Sequence, residues 1–126
     1  MKPLFVYGTL MQGGGNHPYL EGQKYLGQGE LKGYAMYDLG WYPCILPQAE
    51  EGVKGELYLP DAQALAHIDR LEGNGSLYNR KTVTVKNERG DTLQAWTYVW
   101  NGQVDAPKKV DYGKQPWLNY RHSASL

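Results

Sequence analysis

The sequence has 126 residues, which is enough for a single domain with its own hydrophobic core. Thirteen Lys and Arg residues balance thirteen Asp and Glu residues, and this zero net charge argues against a nucleic-acid partner, which normally requires a basic face. No run approaches the roughly 18 apolar residues of a membrane span, and Cys44 has no second cysteine with which to form a disulfide. Because no apolar signal segment precedes the first predicted strand, we expect a cytoplasmic protein.

Apolar and aromatic residues at positions 4–7 predict a short first strand, buried on both faces, that ends at Gly8. Glycine can adopt backbone angles closed to other residues and leaves no side chain against a docking group. The amides of Gly8, Thr9 and Leu10 then lack a strand partner, and converging free amides favour an anionic or carbonyl oxygen. Two interpretations are open: an ordinary glycine turn after a core strand, or a site that binds such an oxygen.

The next part of the chain predicts one helical turn and several strands. Asn16 is suited to cap the turn, with Pro18 in its first turn and Gly22 at its end. Strand-like patterns occupy residues 23–30, 33–38 and 53–59. Two prolines in residues 40–47 exclude a central strand, so this segment is predicted to be a loop or an edge that covers either the core or a substrate.

The second half of the chain predicts one main helix and a β-hairpin. The helix covers residues 62–72, with Asp61 as N-cap and Gly73 as the C-terminal stop. Strands over residues 77–86 and 92–100 flank a turn at 87–91, and Trp117 is expected to pack a later segment onto the body. About six or seven strands and one helix predict an α+β fold with a barrel-like sheet. We expect one domain over residues 1–120 and a frayed tail over 121–126.

Glu72 does not fit a purely structural role in the predicted helix. Its direction falls between those of Leu65 and Ile68, on the face that the helix should bury. Burial would raise the pKa of its carboxyl group, so that the group could take up and return protons near neutral pH. Alternatively, Glu72 frays outward at the helix end, beside Gly73, or binds a nearby amide.

Other candidate residues favour structural roles. Cys44 lies between two prolines and is predicted to be a packed thiol, and the three histidines lack the close spacing of metal ligands. The glycines at 13–15 match neither a phosphate loop nor a dinucleotide-binding motif. Asp69 is expected to be solvated and paired with Arg70 or with lysines, rather than to form a carboxylate pair with Glu72.

Four motifs occur in order along the chain: Val6-Tyr7-Gly8-Thr9-Leu10, Gly55-Glu56-Leu57-Tyr58, Ile68-Asp69-Arg70-Leu71-Glu72 and Tyr78-Asn79-Arg80. Together they resemble the gamma-glutamylcyclotransferase-like family, and the closest branch is the gamma-glutamylamine cyclotransferase type. The resemblance runs from residue 4 to about residue 100. It departs from members that act on glutathione or its amino-acid relatives, which often have Ser where this chain has Thr9.

The resemblance implies a small mixed β-barrel with flanking helices and a cavity whose rim includes the Tyr7–Leu10 loop. It implies Glu72 as the catalytic residue and a reaction without metal or organic cofactor. The α-amino group of a small γ-glutamyl substrate attacks its own γ-amide carbonyl, which closes 5-oxoproline and releases an amine or amino acid. The amides of Gly8, Thr9 and Leu10 are suited to the substrate carboxylate. Tyr7 and Tyr78 either bind substrate or Glu72 in the cavity, or pack as core aromatics.

Three functional interpretations remain at this point. The first is the cyclotransferase (a lyase) with Glu72 as general acid and base. The second is a non-catalytic module that binds a γ-glutamyl compound in the same fold. The third is a related γ-glutamyl transfer, such as the trimming of a protected antibiotic precursor.

Overall fold

The computed structural model describes residues 1–124, and the main regular elements in this range are six strands and two α-helices. Three short 3₁₀ turns lie between them, at His17–Leu20, Ala106–Lys108 and Tyr112–Lys114. In chain order the elements are β1 (Leu4–Val6), β2 (Lys24–Asp38), β3 (Pro43–Leu59), α1 (Ala62–Glu72), β4 (Tyr78–Asn87), β5 (Thr92–Trp100), β6 (Lys109–Val110) and α2 (Trp117–Ala124).

Five of the strands close into a small barrel. The sheet order is β3-β1-β5-β4-β2, and a further pairing between β2 and β3 joins the two ends. β1 and β5 are parallel, the remaining barrel pairs are antiparallel, and β6 adds to β2 outside the ring. The predicted α+β fold, a small mixed barrel with one main helix, is therefore confirmed.

β2 and β3 are each one long strand where the sequence predicted shorter segments. The register of β2 against β3 shifts between Tyr25 and Gly27 and again between Lys32 and Tyr34. Gly27 and Gly33 have φ values of 106° and 86° at these two shifts, so both are bulges within one continuous strand. The sequence predicted Gly27 inside a strand and Gly33 at the start of the next one.

The predicted loop or edge at 40–47 contains the beginning of β3. Within it, Pro43–Pro47 pairs with β2 along one side, whereas β1 pairs with β3 only further on, at Glu56–Tyr58. The edge alternative was therefore right for Pro43–Pro47. An edge position is also the place in a sheet that tolerates proline, because the missing N–H faces no partner strand.

α1 has the predicted bounds. The Asp61 carboxylate accepts a hydrogen bond from the Ala64 amide at 2.8 Å, and Gly73 has a φ of 61°, the left-handed angle of a helix end. Ala64 and Ile68 are the buried residues of this helix. The helix therefore ends at Glu72 with a defined geometry.

The hairpin of β4 and β5 confirms the second prediction for this half of the chain, with β4 starting one residue later than predicted. The Asn87 amide donates to the Asp91 carbonyl at 2.8 Å across the predicted turn.

No helix within residues 1–124 is long and apolar enough to cross a membrane.

Two local predictions are wrong in part. Asn16 makes no capping hydrogen bond to the 3₁₀ turn; its side-chain N–H donates to the Thr9 hydroxyl at 2.9 Å. Trp117 is buried as expected, but α2 continues over residues 121–124, for which a frayed tail was predicted. The last two residues, 125 and 126, lie outside the described range.

Candidate active site

A cavity of about 340 Å³ opens where the chain leaves β1, beside the end of α1 and the first residue of β4. All six residues predicted for the site line it, so the sequence motifs meet in one place. Their chemical roles stay predictions. The lining residues are Phe5, Val6, Tyr7, Gly8, Thr9, Leu10, Asn16, Trp41, Tyr42, Pro43, Leu71, Glu72, Leu77, Tyr78 and Tyr98.

The loop after β1 has free amide donors. Among the described residues, the backbone N–H groups of Gly8, Thr9 and Leu10 donate no hydrogen bond to protein. The loop is nevertheless fixed, because the Gly8 carbonyl accepts from the Met11 amide at 3.1 Å and the Thr9 carbonyl accepts from the Asn16 amide at 2.9 Å. These unpaired donors belong to residues that line the cavity, where converging backbone N–H groups favour an anionic or carbonyl oxygen.

Gly8 is required for space rather than for an unusual backbone angle. It is not among the residues with positive φ, so the expected backbone freedom is not what this position uses. A Cβ at Gly8 would lie 2.7 Å from Cγ of Pro43, far inside van der Waals contact. The missing side chain therefore admits Pro43, at the start of β3, against the loop.

Glu72 is half-buried at the end of α1 and lines the cavity. Its carboxylate has no hydrogen-bond or ion-pair partner within residues 1–124, so it neither binds a nearby amide nor leaves the cavity. Burial raises the pKa of Glu72 from 4.5 to about 7. A carboxyl group with this pKa can exchange a proton in either direction at neutral pH.

Three buried tyrosines surround this carboxyl group, and their hydroxyl protons are already used. Tyr7 donates to the Tyr98 carbonyl at 2.6 Å, and Tyr78 donates to the Pro43 carbonyl at 2.9 Å. Neither hydroxyl donates to Glu72, so the predicted hydrogen bond from Tyr7 or Tyr78 to Glu72 is not formed. Burial, with a smaller contribution from the Glu72 charge, raises the pKa of both phenols, which therefore stay protonated. The Tyr78 oxygen remains free to accept a hydrogen bond from a substrate N–H, whereas the Tyr7 oxygen already interacts with the backbone N–H of Ile45.

Tyr98 is a cavity residue that the sequence did not single out. Its hydroxyl donates to Asp69 at 2.6 Å, and Asp69 also binds the Arg80 guanidinium through contacts of 2.9 and 3.2 Å. Arg80 in turn lies 4.3 Å from the ring centroid of Trp96. The expected pairing of Asp69 with Arg70 or a lysine is therefore wrong. Asp69 instead ties the last turn of α1 to β4 and β5.

The segment before β3 forms one wall of the cavity. Trp41 and Tyr42 line it together with Pro43, so this part of the segment covers a cavity; the substrate-wall alternative stays a prediction. Cys44 is fully buried, and burial raises its pKa to about 12, as expected for a packed thiol. Residues 1–124 contain no cluster of three or more His, Cys, Asp or Glu side chains arranged to hold a metal.

Comparison with known proteins gives the family. A family model described as gamma-glutamyl cyclotransferase, AIG2-like, matches residues 4–119. A Vibrio cholerae protein with a provisional gamma-glutamylcyclotransferase name is 42% identical over 111 residues, which cover 87% of this chain and 91% of that protein. The gamma-glutamylcyclotransferase family protein YtfP of Escherichia coli K12 is 33% identical over 116 residues, 92% of this chain and 96% of YtfP.

A solved structure agrees with this match. The crystal structure of an AIG2-like protein from Mus musculus superposes with a TM-score of 0.75 and 27% identity, over 86% of this chain and 82% of that one. The chain therefore belongs to the gamma-glutamyl cyclotransferase, AIG2-like family.

Proposed function

We propose that this protein is a γ-glutamyl cyclotransferase that acts on γ-glutamyl amines or amino acids and releases 5-oxoproline, with Glu72 as general acid and base. The observation that carries the proposal is that Glu72 and residues with free backbone amides line the same cavity. Glu72 is the only charged side chain among the lining residues of the described chain, and the amides of Gly8, Thr9 and Leu10 are the free donors.

Proton transfer is the first requirement of the reaction. The α-ammonium group of a γ-glutamyl substrate cannot attack until it loses a proton, and the Glu72 carboxylate is the base in the cavity that can accept it. The pKa of about 7 means that Glu72 is partly ionised at neutral pH and can also return the proton. General acid and base help of this kind contributes roughly 10² to 10⁴ in rate.

The bond changes balance without another reactant. The deprotonated amine forms a bond to the γ-carbonyl carbon, and the bond from this carbon to the amide nitrogen breaks. In total the α-ammonium loses two protons as it becomes the lactam N–H, and the departing nitrogen gains two as it leaves as an ammonium. Glu72 carries these protons from one nitrogen to the other.

Substrate positioning supplies the other part of the rate. The free amides of Gly8, Thr9 and Leu10 suit the α-carboxylate of the substrate, since backbone donors at a turn bind anions. The phenol oxygen of Tyr78 can accept a hydrogen bond from the α-amine, and Tyr7 lines the cavity beside it. Because the attack is intramolecular, holding the amine against the γ-carbonyl is a large share of catalysis.

The test is incubation of the purified protein with a panel of γ-glutamyl amines, γ-glutamyl amino acids and glutathione. Mass spectrometry then measures 5-oxoproline and the released amine. We expect 5-oxoproline and amine in equal amounts from at least one compound. Binding of a γ-glutamyl compound without any product would instead identify a non-catalytic module, and the identity of the released amine separates this reaction from another γ-glutamyl transfer.

A further inference from the structure

Asn16 lines the cavity and holds Thr9, one of the residues with a free amide, at two points. The Asn16 backbone N–H donates to the Thr9 carbonyl at 2.9 Å. Its side-chain N–H donates to the Thr9 hydroxyl, also at 2.9 Å. The chain thus turns back after seven residues and fixes both the main chain and the side chain of Thr9.

The glycine run at residues 13–15 allows this close return of the chain. A Cβ at Gly14 would lie 2.7 Å from the Thr9 carbonyl carbon and 2.9 Å from the Thr9 Cα. Position 14 therefore excludes even alanine while the Thr9 backbone lies against it. The run matches no phosphate-binding or dinucleotide-binding motif, and in the structure it brings Asn16 against Thr9.

Two backbone hydrogen bonds set the direction of two free amides in this loop. The peptide bonds of the loop are trans, so each C=O points opposite to the N–H of the following residue. The Met11 amide holds the Gly8 carbonyl, so the Thr9 N–H points away from that bond. The Asn16 amide holds the Thr9 carbonyl, so the Leu10 N–H points away from it in the same manner. Both free donors therefore belong to peptide planes that are already held at the opposite edge.

The side-chain bond from Asn16 determines what the Thr9 hydroxyl can do. A hydroxyl has one proton and two acceptor lone pairs, and Asn16 Nδ2–H occupies one acceptor position. An amide NH₂ group donates but does not accept, so the hydroxyl proton must turn away from Asn16. Within residues 1–124 the Thr9 hydroxyl donates to no protein acceptor. Because Thr9 lines the cavity, its hydroxyl adds a side-chain donor to the three free amides.

We propose that Asn16 is a positioning residue for the substrate, which holds the Thr9 hydroxyl so that its proton is donated to the α-carboxylate of the γ-glutamyl group. The inference rests on the proposed cyclotransferase function and adds a residue to its substrate-binding site. A carboxylate has about four lone-pair sites, so it can accept from a hydroxyl as well as from backbone amides. A hydrogen bond to such a charged acceptor is roughly twice as strong as a neutral one. The effect of Asn16 on the substrate is transmitted through Thr9.

Calorimetric binding of 5-oxoproline, which keeps the α-carboxylate, tests the proposal without requiring turnover. Thr9→Val removes the hydroxyl at nearly constant shape and should raise Kd roughly tenfold to a hundredfold, the range for a hydrogen bond to a charged group. Asn16→Ala keeps its backbone N–H and should raise Kd roughly threefold to tenfold. Added to Thr9→Val, Asn16→Ala should change Kd by less than about twofold, because the hydroxyl on which it acts is gone. The same pattern is expected in KM for a γ-glutamyl amide.

Two further measurements separate positioning from a general loss of loop structure. 2-Pyrrolidinone is 5-oxoproline without the carboxylate, and its affinity, measured by NMR titration, should change less than about twofold in Asn16→Ala. In steady-state kinetics Asn16→Ala should raise KM and leave kcat within about twofold, as expected when an interaction is equal in the ground state and the transition state. A disordered loop would instead lower kcat and weaken both ligands. Asn119→Ala is the matched control, since Asn119 is exposed in α2 and lies outside the cavity lining.

Asn16→Asp reverses the polarity of the bond to Thr9. A carboxylate at position 16 accepts the hydroxyl proton and adds a negative charge, so this variant should bind 5-oxoproline more weakly than Asn16→Ala does. Binding as tight as that of the wild type would show that the hydroxyl donates to residue 16, and it would overturn the proposal.

The outcomes separate this inference from the function on which it rests. Additive effects of Thr9→Val and Asn16→Ala would overturn the role of Asn16 while leaving the cyclotransferase intact. Absence of 5-oxoproline formation from every compound would overturn the proposed function, and the calorimetric comparison would then decide the role of Asn16 in a binding protein. A protein that neither forms nor binds 5-oxoproline would overturn both.

Discussion

Replacing Glu72 with glutamine should make the protein more stable at alkaline pH, because it removes a buried charge. The pKa of Glu72 is raised from 4.5 to about 7 in the folded state by burial. The folded protein thus binds this proton more tightly than the unfolded chain does. The contribution of Glu72 to stability is fully present below about pH 4.5 and is lost as pH rises through about 7.

The size of the effect follows from the shift. One pKa unit corresponds to about 1.4 kcal/mol, so the rise from 4.5 to about 7 gives a cost of up to about 3 kcal/mol once Glu72 is ionised. Glutamine is neutral at every pH and has nearly the same shape. We therefore expect Glu72→Gln to match the wild type near pH 4.5 and to exceed its free energy of unfolding by up to about 3 kcal/mol at pH 8.

Urea denaturation at several pH values measures this difference, with the m-value checked for constancy. Glu21→Gln is the matched control, since Glu21 is exposed and its substitution should change stability by less than about 0.5 kcal/mol. A Glu72→Gln protein that is no more stable than the wild type at pH 8 would refute the reasoning, because the carboxyl group could not then be a buried group of raised pKa.

The remaining predictions concern the pH dependence of the rate and the packing around the cavity. Because Glu72 must be ionised to act as base, kcat/KM should rise with pH and level off above about 7, which a pH profile measures; a midpoint near 4.5 would contradict the raised pKa. Gly8→Ala places a Cβ 2.7 Å from a proline ring and should cost about 1 to 3 kcal/mol in urea denaturation, whereas Gly15→Ala, with no atom within 4 Å, is the near-neutral control. Asp69→Ala and Arg80→Ala should each destabilise the fold, with a coupling energy of about 1 to 2 kcal/mol in a double-mutant cycle; additive effects would show that the pair does not hold α1 to the barrel.

The sequence predicted those elements whose signals are local. Asp61 and Gly73 bracket the apolar period of α1, and both act as caps in the structure. The turn at 87–91 lies between two alternating strands, and the hairpin follows directly. Glu72 was found in the same way, since the helical period alone placed a carboxyl group on the face that the helix buries.

The parts that the sequence predicted less well depend on contacts between distant residues. From the sequence alone Gly33 marks the start of a new strand, but within the barrel Gly27 and Gly33 are both bulges that let β2 continue. The parallel pairing of Leu4 with Trp96 joins β1 to β5 across most of the chain, and no local pattern indicates it. Composition and family resemblance therefore predicted the barrel, but they did not predict its strand order.

Tyr98 shows the same limit within the site. It lies in β5 among other buried residues, so its alternation pattern is that of an ordinary core position. Its proximity to Glu72 arises because β5 lies beside β4 and because Asp69 holds its hydroxyl. The position of Asp69, one helical turn before Glu72, was a useful signal. The sequence analysis, however, predicted a solvated Asp69.

The most direct test of the account compares product formation by the wild type and by Glu72→Gln on one γ-glutamyl amide. Both proteins are used at equal folded concentration, and 5-oxoproline is measured by mass spectrometry at pH 8, where the variant is expected to be at least as stable as the wild type. We predict a rate at least about a hundredfold lower for Glu72→Gln, the lower range for loss of a general acid and base. A variant that releases 5-oxoproline at the wild-type rate would contradict the assignment of Glu72 as the residue that moves the protons.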